Sequence, residues 1–301
     1  MAEGKNAKYM VTSLKLPEEM QASAADYARW ATRILWLDED VVPGSFQINC
    51  SWYRKPSETP GKAHTHDYDE VIAFFGSDPD NPYDLHGEVE FWIEDEKYII
   101  DKSALIFAPG GLQHCPIQVL RIDRPIFHFT VVMSSKYIPK PVDELKPAVM
   151  GSRPTKSERK YEKYILQDLR MPEGKWPSAE YMQRATKVLW MDGENTPGAF
   201  NVNVTWLWKA TDFNHDEAHK HDYDEIIGFF GGDPDRPNDL NAEVEFWLDD
   251  EKYNLTKSTL LYIPQGLTHC PLRVLSIDQP VFHFTIVRSG TYKQNLIADG
   301  Y

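Results

Sequence analysis

Two short stretches carry residues that could do chemistry together. His64-Thr65-His66-Asp67-Tyr68-Asp69-Glu70 is followed, some forty residues on, by Pro109-Gly110-Gly111-Leu112-Gln113-His114. Both stretches recur, as His219-Lys220-His221-Asp222-Tyr223-Asp224-Glu225 and Pro264-Gln265-Gly266-Leu267-Thr268-His269. On a strand, residues i and i+2 share a face, so His64 and His66 point the same way. Glu70 keeps that parity if the strand continues. His114 follows a Pro-x-Gly turn that can bring a distant strand alongside. Three imidazoles and a carboxylate (His64, His66, His114, Glu70; His219, His221, His269, Glu225) suit a divalent first-row metal. Iron, manganese or nickel bound six-coordinate would keep two open positions; zinc usually prefers four ligands. A lone HxH pair is no evidence of a metal. Two quartets with identical spacing, using six of the ten histidines, are. The expectation is a divalent metal (Mn, Fe or Zn), up to two per chain.

What positions these residues is a duplicated unit. From His64 to Met133 the match to His219 through Arg288 is gapless, with more than half the positions identical. Upstream, Tyr27, Ala31-Thr32, Trp36, Pro43-Gly44 and Phe46 match Tyr181, Ala185-Thr186, Trp190, Pro197-Gly198 and Phe200. Two long copies make a tandem domain rather than a solenoid. The boundary falls in the Pro-, Lys-, Glu- and Ser-rich residues 140–160, giving domains 1–145 and 155–301. Within a copy, Met20, Ala24, Tyr27, Ala31 and Ile34 predict one helix over 17–35. The period then becomes two, as in Phe46–Trp52 and Glu88–Ile93, and clusters of Gly, Pro and Asp separate short runs. The fold class is all-β, two jelly-roll barrels with short N-terminal helical lead-ins.

The pattern resembles the cupin superfamily, and two copies resemble a bicupin. The first cupin motif reads His64-x-His66-x3-Glu70 with Gly76 behind it, and His219-x-His221-x3-Glu225 with Gly231. The second reads Pro109-x-Gly111-x2-His114 and Pro264-x-Gly266-x2-His269. Two departures touch loop detail and leave the ligands intact. The leading Gly of the second motif is Ser103 or Ser258, and its closing Asn is Gln118 or Arg273. The resemblance is specific for fold and metal, and weak for reaction. Glu88-Val89-Glu90-Phe91-Trp92 with Asp95-Glu96-Lys97-Tyr98 is similar to bicupins of anaerobic bacteria that act on reduced phenolic rings, of dihydrophloroglucinol cyclohydrolase type. That resemblance implies hydrolytic opening of a cyclic 1,3-diketone by a metal-activated water. An iron or nickel dioxygenase of a diketone or enediol would use the same ligands. A metabolite-binding bicupin without catalysis is the third reading; complete ligand sets in both copies weigh against it.

Around the ligands, His128 and His283 stand in Phe-His-Phe-Thr. Alternation leaves two placements: inward as acid or base, or outward with the Phe pair in the core. Tyr68 and Tyr223 keep the ligand parity and are pocket candidates. Cys115 and Cys270 follow a ligand directly and are expected to face away as small packers. Trp52 and Trp206 are expected in the core. Glu88, Glu90 and Trp92 share a face that solvent explains. The loops before the two HxH pairs differ, and the second adds His215, Asp216 and Glu217 as acid/base candidates.

The net charge of −14, from 46 acidic and 32 basic residues, argues against nucleic acid or an anionic membrane as partner. The partner expected is a small-molecule substrate, with a homo-oligomer compatible with the way cupins pair through their sheets. Three cysteines without a CxxC pair suggest a reducing compartment. The first residues show no apolar leader, and the location expected is cytoplasmic.

Overall fold

The computed structural model describes residues 4–78, 80–142, 159–211 and 216–297. The first copy forms β1 (Met10–Val11), β2 (Ala31–Leu37), β3 (Gln47–Tyr53), β4 (His64–Thr65), β5 (Glu70–Phe75) and β6 (Asp84–Ile93). It continues with β7 (Glu96–Lys102), β8 (Ala104–Ala108), β9 (His114–Ile122), β10 (Ile126–Val132) and β11 (Lys140–Pro141). The second copy repeats this series as β12 (Ile165–Leu166), β13 (Ala185–Met191), β14 (Asn201–Leu207), β15 (His219–Lys220) and β16 (Glu225–Gly231). It ends with β17 (Asp239–Leu248), β18 (Glu251–Lys257), β19 (Thr259–Ile263), β20 (His269–Ile277), β21 (Val281–Val287) and β22 (Asn295–Leu296). Every pairing among the described residues is antiparallel.

Each copy builds a barrel from a six-stranded and a five-stranded sheet. The six-stranded sheets run β12-β8-β5-β10-β3-β2 and β1-β19-β16-β21-β14-β13. Their edges are exchanged: Met10 and Val11 of the first copy pair with Leu261 and Leu260 of the second, and Ile165 and Leu166 pair with Ile106 and Leu105 of the first.

These sheets are buried on both sides, which is why their strands read as near-continuous apolar runs. Ile72, Phe74 and Ile106 face the first barrel's interior. The alternate residues, among them Trp52, Phe75, Phe127 and Phe129, enter one core shared with Trp206, Phe230, Phe282 and Phe284 of the other copy. Phe127 packs 4.2 Å from Phe282 between ring centroids, and Phe129 4.9 Å from Phe284. Cutting one such ring back to Ala costs about 3–5 kcal/mol. The two barrels therefore share one packed interface, with Trp52 and Trp206 in it.

The helix expected over 17–35 is a correction. Two short helices, α1 (Glu18–Gln21) and α2 (Ala24–Tyr27), are followed directly by β2, which holds Ala31 and Ile34. Among the described residues the second copy has one α-helix, α3 (Ala179–Met182), before β13. A register shift between Arg33 and Leu35 disturbs the alternation of β2, so its two-residue period is not visible in the sequence. Gly76 and Gly231 are required by close approach: a Cβ there would lie 1.9 Å from the Asp84 carbonyl oxygen or 2.1 Å from that of Asp239. Ser103, where the cupin pattern has Gly, secures the same turn. Its hydroxyl accepts from the Gly76 amide at 3.0 Å and donates to the Pro82 carbonyl at 2.7 Å. Ser258 repeats this with Gly231 and Pro237.

Candidate metal centres

The ligand strand does not continue as expected: β4 ends at Thr65 and β5 begins at Glu70. The chain turns between them, and the site closes because the turn is tied to the Pro-x-Gly loop. Asp69 Oδ1 accepts from the Gly110 amide at 2.9 Å, and the Gly111 amide donates to the His66 carbonyl at 2.7 Å. Gly111 sits at φ +85°, a conformation open to glycine. His64 and His114 are thereby directly paired across β4 and β9. The second copy repeats each tie: Gln265 to Asp224 at 3.0 Å, Gly266 to His221 at 2.9 Å, and His219 opposite His269.

All four first-copy ligand atoms lie within 4.8 Å of one another, and all four residues are buried. In the second copy His269 joins two such groups, one with His221 and Glu225 and one with His219 and Cys270. Every ligand histidine has its Nδ1–H committed to a backbone carbonyl. The acceptors are Lys62 for His64, Tyr68 for His66 and Leu112 for His114, then Glu217, Lys293 and Leu267 for His219, His221 and His269. That fixes the tautomer and leaves each Nε2 as a lone pair facing inward.

This arrangement fits a cation. His66 Nε2 and His114 Nε2 lie 2.8 and 2.9 Å from Glu70 Oε2, so acceptor meets acceptor unless a positive charge stands between them. In the second copy His221 Nε2, His269 Nε2 and Glu225 Oε2 are buried and form no hydrogen bond. Burial pushes both glutamates up, but the facing histidines outweigh it and hold each carboxyl at about 2. Burial, then the neighbouring His114, lowers His64; burial, then His269, brings His219 to about 4. Three imidazoles and a carboxylate form a mixed N/O set for a divalent ion with positions left for a small ligand.

Beside the second cluster lies a cavity of about 560 Å³, lined among others by Lys187, Asn203, Asp216, His283, Thr285 and Gln294. Gln294 Nε2 is 3.4 Å from His219 Nε2 and donates to the Tyr292 hydroxyl at 3.1 Å. Asp216, exposed at the mouth, accepts from the same amide at 3.3 Å.

The other sequence candidates separate by placement. His128 and His283 point inward, because their Phe neighbours occupy the face shared between the barrels. His128 stacks on Tyr53 and Phe74 at 4.5 and 5.0 Å and donates Nδ1–H to the Ala73 carbonyl. Burial holds it neutral, at about 3. His283 donates to the Gly228 carbonyl at 3.0 Å and lines the cavity. Tyr68 and Tyr223 lie against the outer side of the ligands, stacked on His66 at 4.4 Å and His221 at 5.0 Å. Their hydroxyls hold the backbone of Ile138 and Lys293. His215 lies outside the described residues, as does most of the expected domain boundary.

Cys270 corrects the expectation that the cysteines face away: its sulfur is grouped with His219 and His269. Cys115 and Cys270 have φ of +64° and +66°, which breaks the strand alternation that the expectation assumed. Glu88 and Glu90 lie on the outer face, paired with Arg121 and with Trp92 and Lys97. Sequence reasoning missed Arg33 and Lys187, Asn49 and Asn203, and Tyr137 and Tyr292. All of these sit at matching positions of the repeat, which was the available signal.

No family model matches the chain, and no curated protein is similar to it. Solved structures are similar in fold. A Bacillus subtilis oxalate decarboxylase with Mn(II) centres aligns with a TM-score of 0.52 at 14% identity, over 87% of this chain and 74% of that one. A substitution variant of the same enzyme aligns with a TM-score of 0.51 at 13% identity over the same shares. The fold is that of a bicupin. In this bicupin fold both barrels bring a His/Glu set together, consistent with up to two divalent metals per chain. No helix among the described residues is long and apolar enough to cross a membrane, which leaves β-strands untouched.

Proposed function

We propose that the chain is a metal-dependent enzyme that hydrolyses a ring C–C bond of a small cyclic 1,3-dicarbonyl compound in its C-terminal barrel. The observation that carries this reading is the cavity of about 560 Å³ beside the second cluster, which is of a size to take a six-membered ring. A bound divalent cation would polarise a carbonyl and ease the ionisation of water. The chain supplies the rest. With Nδ1–H given to Gly228, His283 has Nε2 as its acceptor and can take a proton from water. Water oxygen adds to one ring carbonyl carbon, and the bond from that carbon to the central CH2 breaks. The electron pair stays on that CH2 carbon as an enolate, which takes up the proton, so an open-chain keto acid results without oxidant. Tyr223 acts through His221 as a positioning residue, and Tyr68 through His66.

The test is a manganese-loaded preparation given a dihydrophloroglucinol-type diketone without oxygen. Release of one keto acid per diketone consumed supports the reading. Conversion that needs O2 would replace it with an oxygenase, and release of CO2 from oxalate with no action on the diketone would replace it with a decarboxylase.

A further inference from the structure

The C-terminal cavity holds a cation that the hydrolytic step does not use. Lys187, on β13, is 6% exposed, and its Nζ donates to Asn203 Oδ1 at 2.5 Å. It forms no ion pair among the described residues; Asp216 raises it only from a distance, while burial brings it down to about 8. Nearby on the cavity wall, Thr285 Oγ1 is buried without a hydrogen-bond partner. One acceptor oxygen can meet both a buried ammonium satisfied by one neutral amide and an orphaned hydroxyl, and the ammonium favours an oxygen carrying negative charge.

The first barrel shows what this end looks like when filled. Arg33 stands at the place of Lys187, with its guanidinium 4.4 Å from the Tyr27 ring and 5.7 Å from the Trp36 ring. Tyr53, which stacks on His128 there, is Leu207 in the second copy, and Leu207 lines the cavity. Thr130, the counterpart of Thr285, accepts from Asn49 at 2.8 Å, whereas Asn203 has turned its oxygen to Lys187.

We infer that Lys187 and Thr285 form an anion-recognising end of the C-terminal pocket that binds the enolate oxygen of a cyclic 1,3-dicarbonyl compound. This deepens the proposed function and rests on its substrate class. A cyclic 1,3-diketone is largely its enolate at neutral pH, so one oxygen meets the ammonium while the other faces the metal cluster, and uptake of a solvent proton at the central carbon gives the dione that water then attacks. The pocket thereby distinguishes a 1,3-dione from a simple ketone of the same ring size.

The test is calorimetric binding of 1,3-cyclohexanedione, with cyclohexanone as neutral control, to the manganese-loaded full chain. Wild type is expected to prefer the dione. Lys187→Met should weaken dione binding roughly 10- to 100-fold, Thr285→Val several-fold, and Lys187→Arg less than Lys187→Met. Arg33→Met should leave dione binding as it is, with metal content equal throughout. Dione binding unchanged in Lys187→Met, lost equally in Arg33→Met, or absent from wild type overturns the inference. If Lys187→Met loses its metal or its cooperative melt, Thr285→Val and Lys187→Arg decide by the same readout. Lys187-dependent binding without turnover would defeat the hydrolytic reading alone; turnover with unchanged KM in Lys187→Met would defeat this inference alone.

Discussion

The hydroxyl of Tyr137 stands 2.9 Å from His64 Nε2, the ring nitrogen turned into the first cluster. With His64 Nδ1–H held by the Lys62 carbonyl, that hydroxyl donates to the lone pair a cation would use. In the second barrel a weaker contact, from Gln294 at 3.4 Å, takes this place. Tyr137→Phe is therefore expected to raise metal affinity at the first cluster by a few-fold, since one net hydrogen bond no longer competes. Manganese titration against a chelator should show one of two affinities shifting. If both stay where they are, Tyr137 does not compete with the metal.

The two clusters share no ligand, so they should empty independently. His64→Ala is expected to lower metal content by one atom per chain from the first barrel, and His219→Ala by one from the second. Glu70→Gln and Glu225→Gln should weaken binding less than loss of an imidazole, because the amide oxygen still coordinates. Elemental analysis that finds the same metal content in wild type and both His variants would refute two separate sites.

Asp69 and Asp224 carry no ligand atom, yet each fastens the loop that delivers a ligand histidine. Asp69→Ala should cost the first cluster roughly 10- to 100-fold in metal affinity, the range for groups that orient ligands, with little change in the second. Chelator competition resolves the two. An unaltered first-site affinity would mean that the Gly111 to His66 hydrogen bond holds the loop by itself.

His128 gives a pH dependence with a definite sign. Its folded pKa of about 3 lies below the ordinary value of 6.5, chiefly through burial. The unfolded chain binds a proton there as pH falls below about 6.5, and the folded chain does not until about 3. Stability from this residue is full above 6.5 and is lost as pH falls through that window. At pH 5 the loss is about 2 kcal/mol relative to pH 8. Denaturation of metal-free protein at both pH values, for wild type and His128→Gln, isolates the term. The variant should lose less stability on acidification; parallel losses would contradict it.

The clustering of the histidines and glutamates, and most strands, are legible because each follows a spacing rule that local sequence obeys. His64 and Glu70 were assigned to one site through parity on a continuous strand, yet the strand breaks, and tertiary ties bring them together. Cys270 escaped the alternation rule through its positive φ. Arg33 and Lys187 were hidden because β2 and β13 carry a register shift where the pattern would have shown an inward row. Tyr137 and Tyr292 lie just past the gapless part of the repeat, on segments whose course depends on Tyr68 and Tyr223. Two-residue strands such as Met10–Val11 have too few residues to show any period.

Those two-residue strands change what a half of this molecule is. Because Met10–Val11 completes the second copy's sheet and Ile165–Leu166 the first's, each copy lends the other a strand. A protease cut between residues 142 and 159 would leave two fragments still clasped. Either fragment purified alone would present a bare edge at β8 or β19, the surface that strand addition and aggregation use. Mixed again, the fragments should return to one another in preference to themselves.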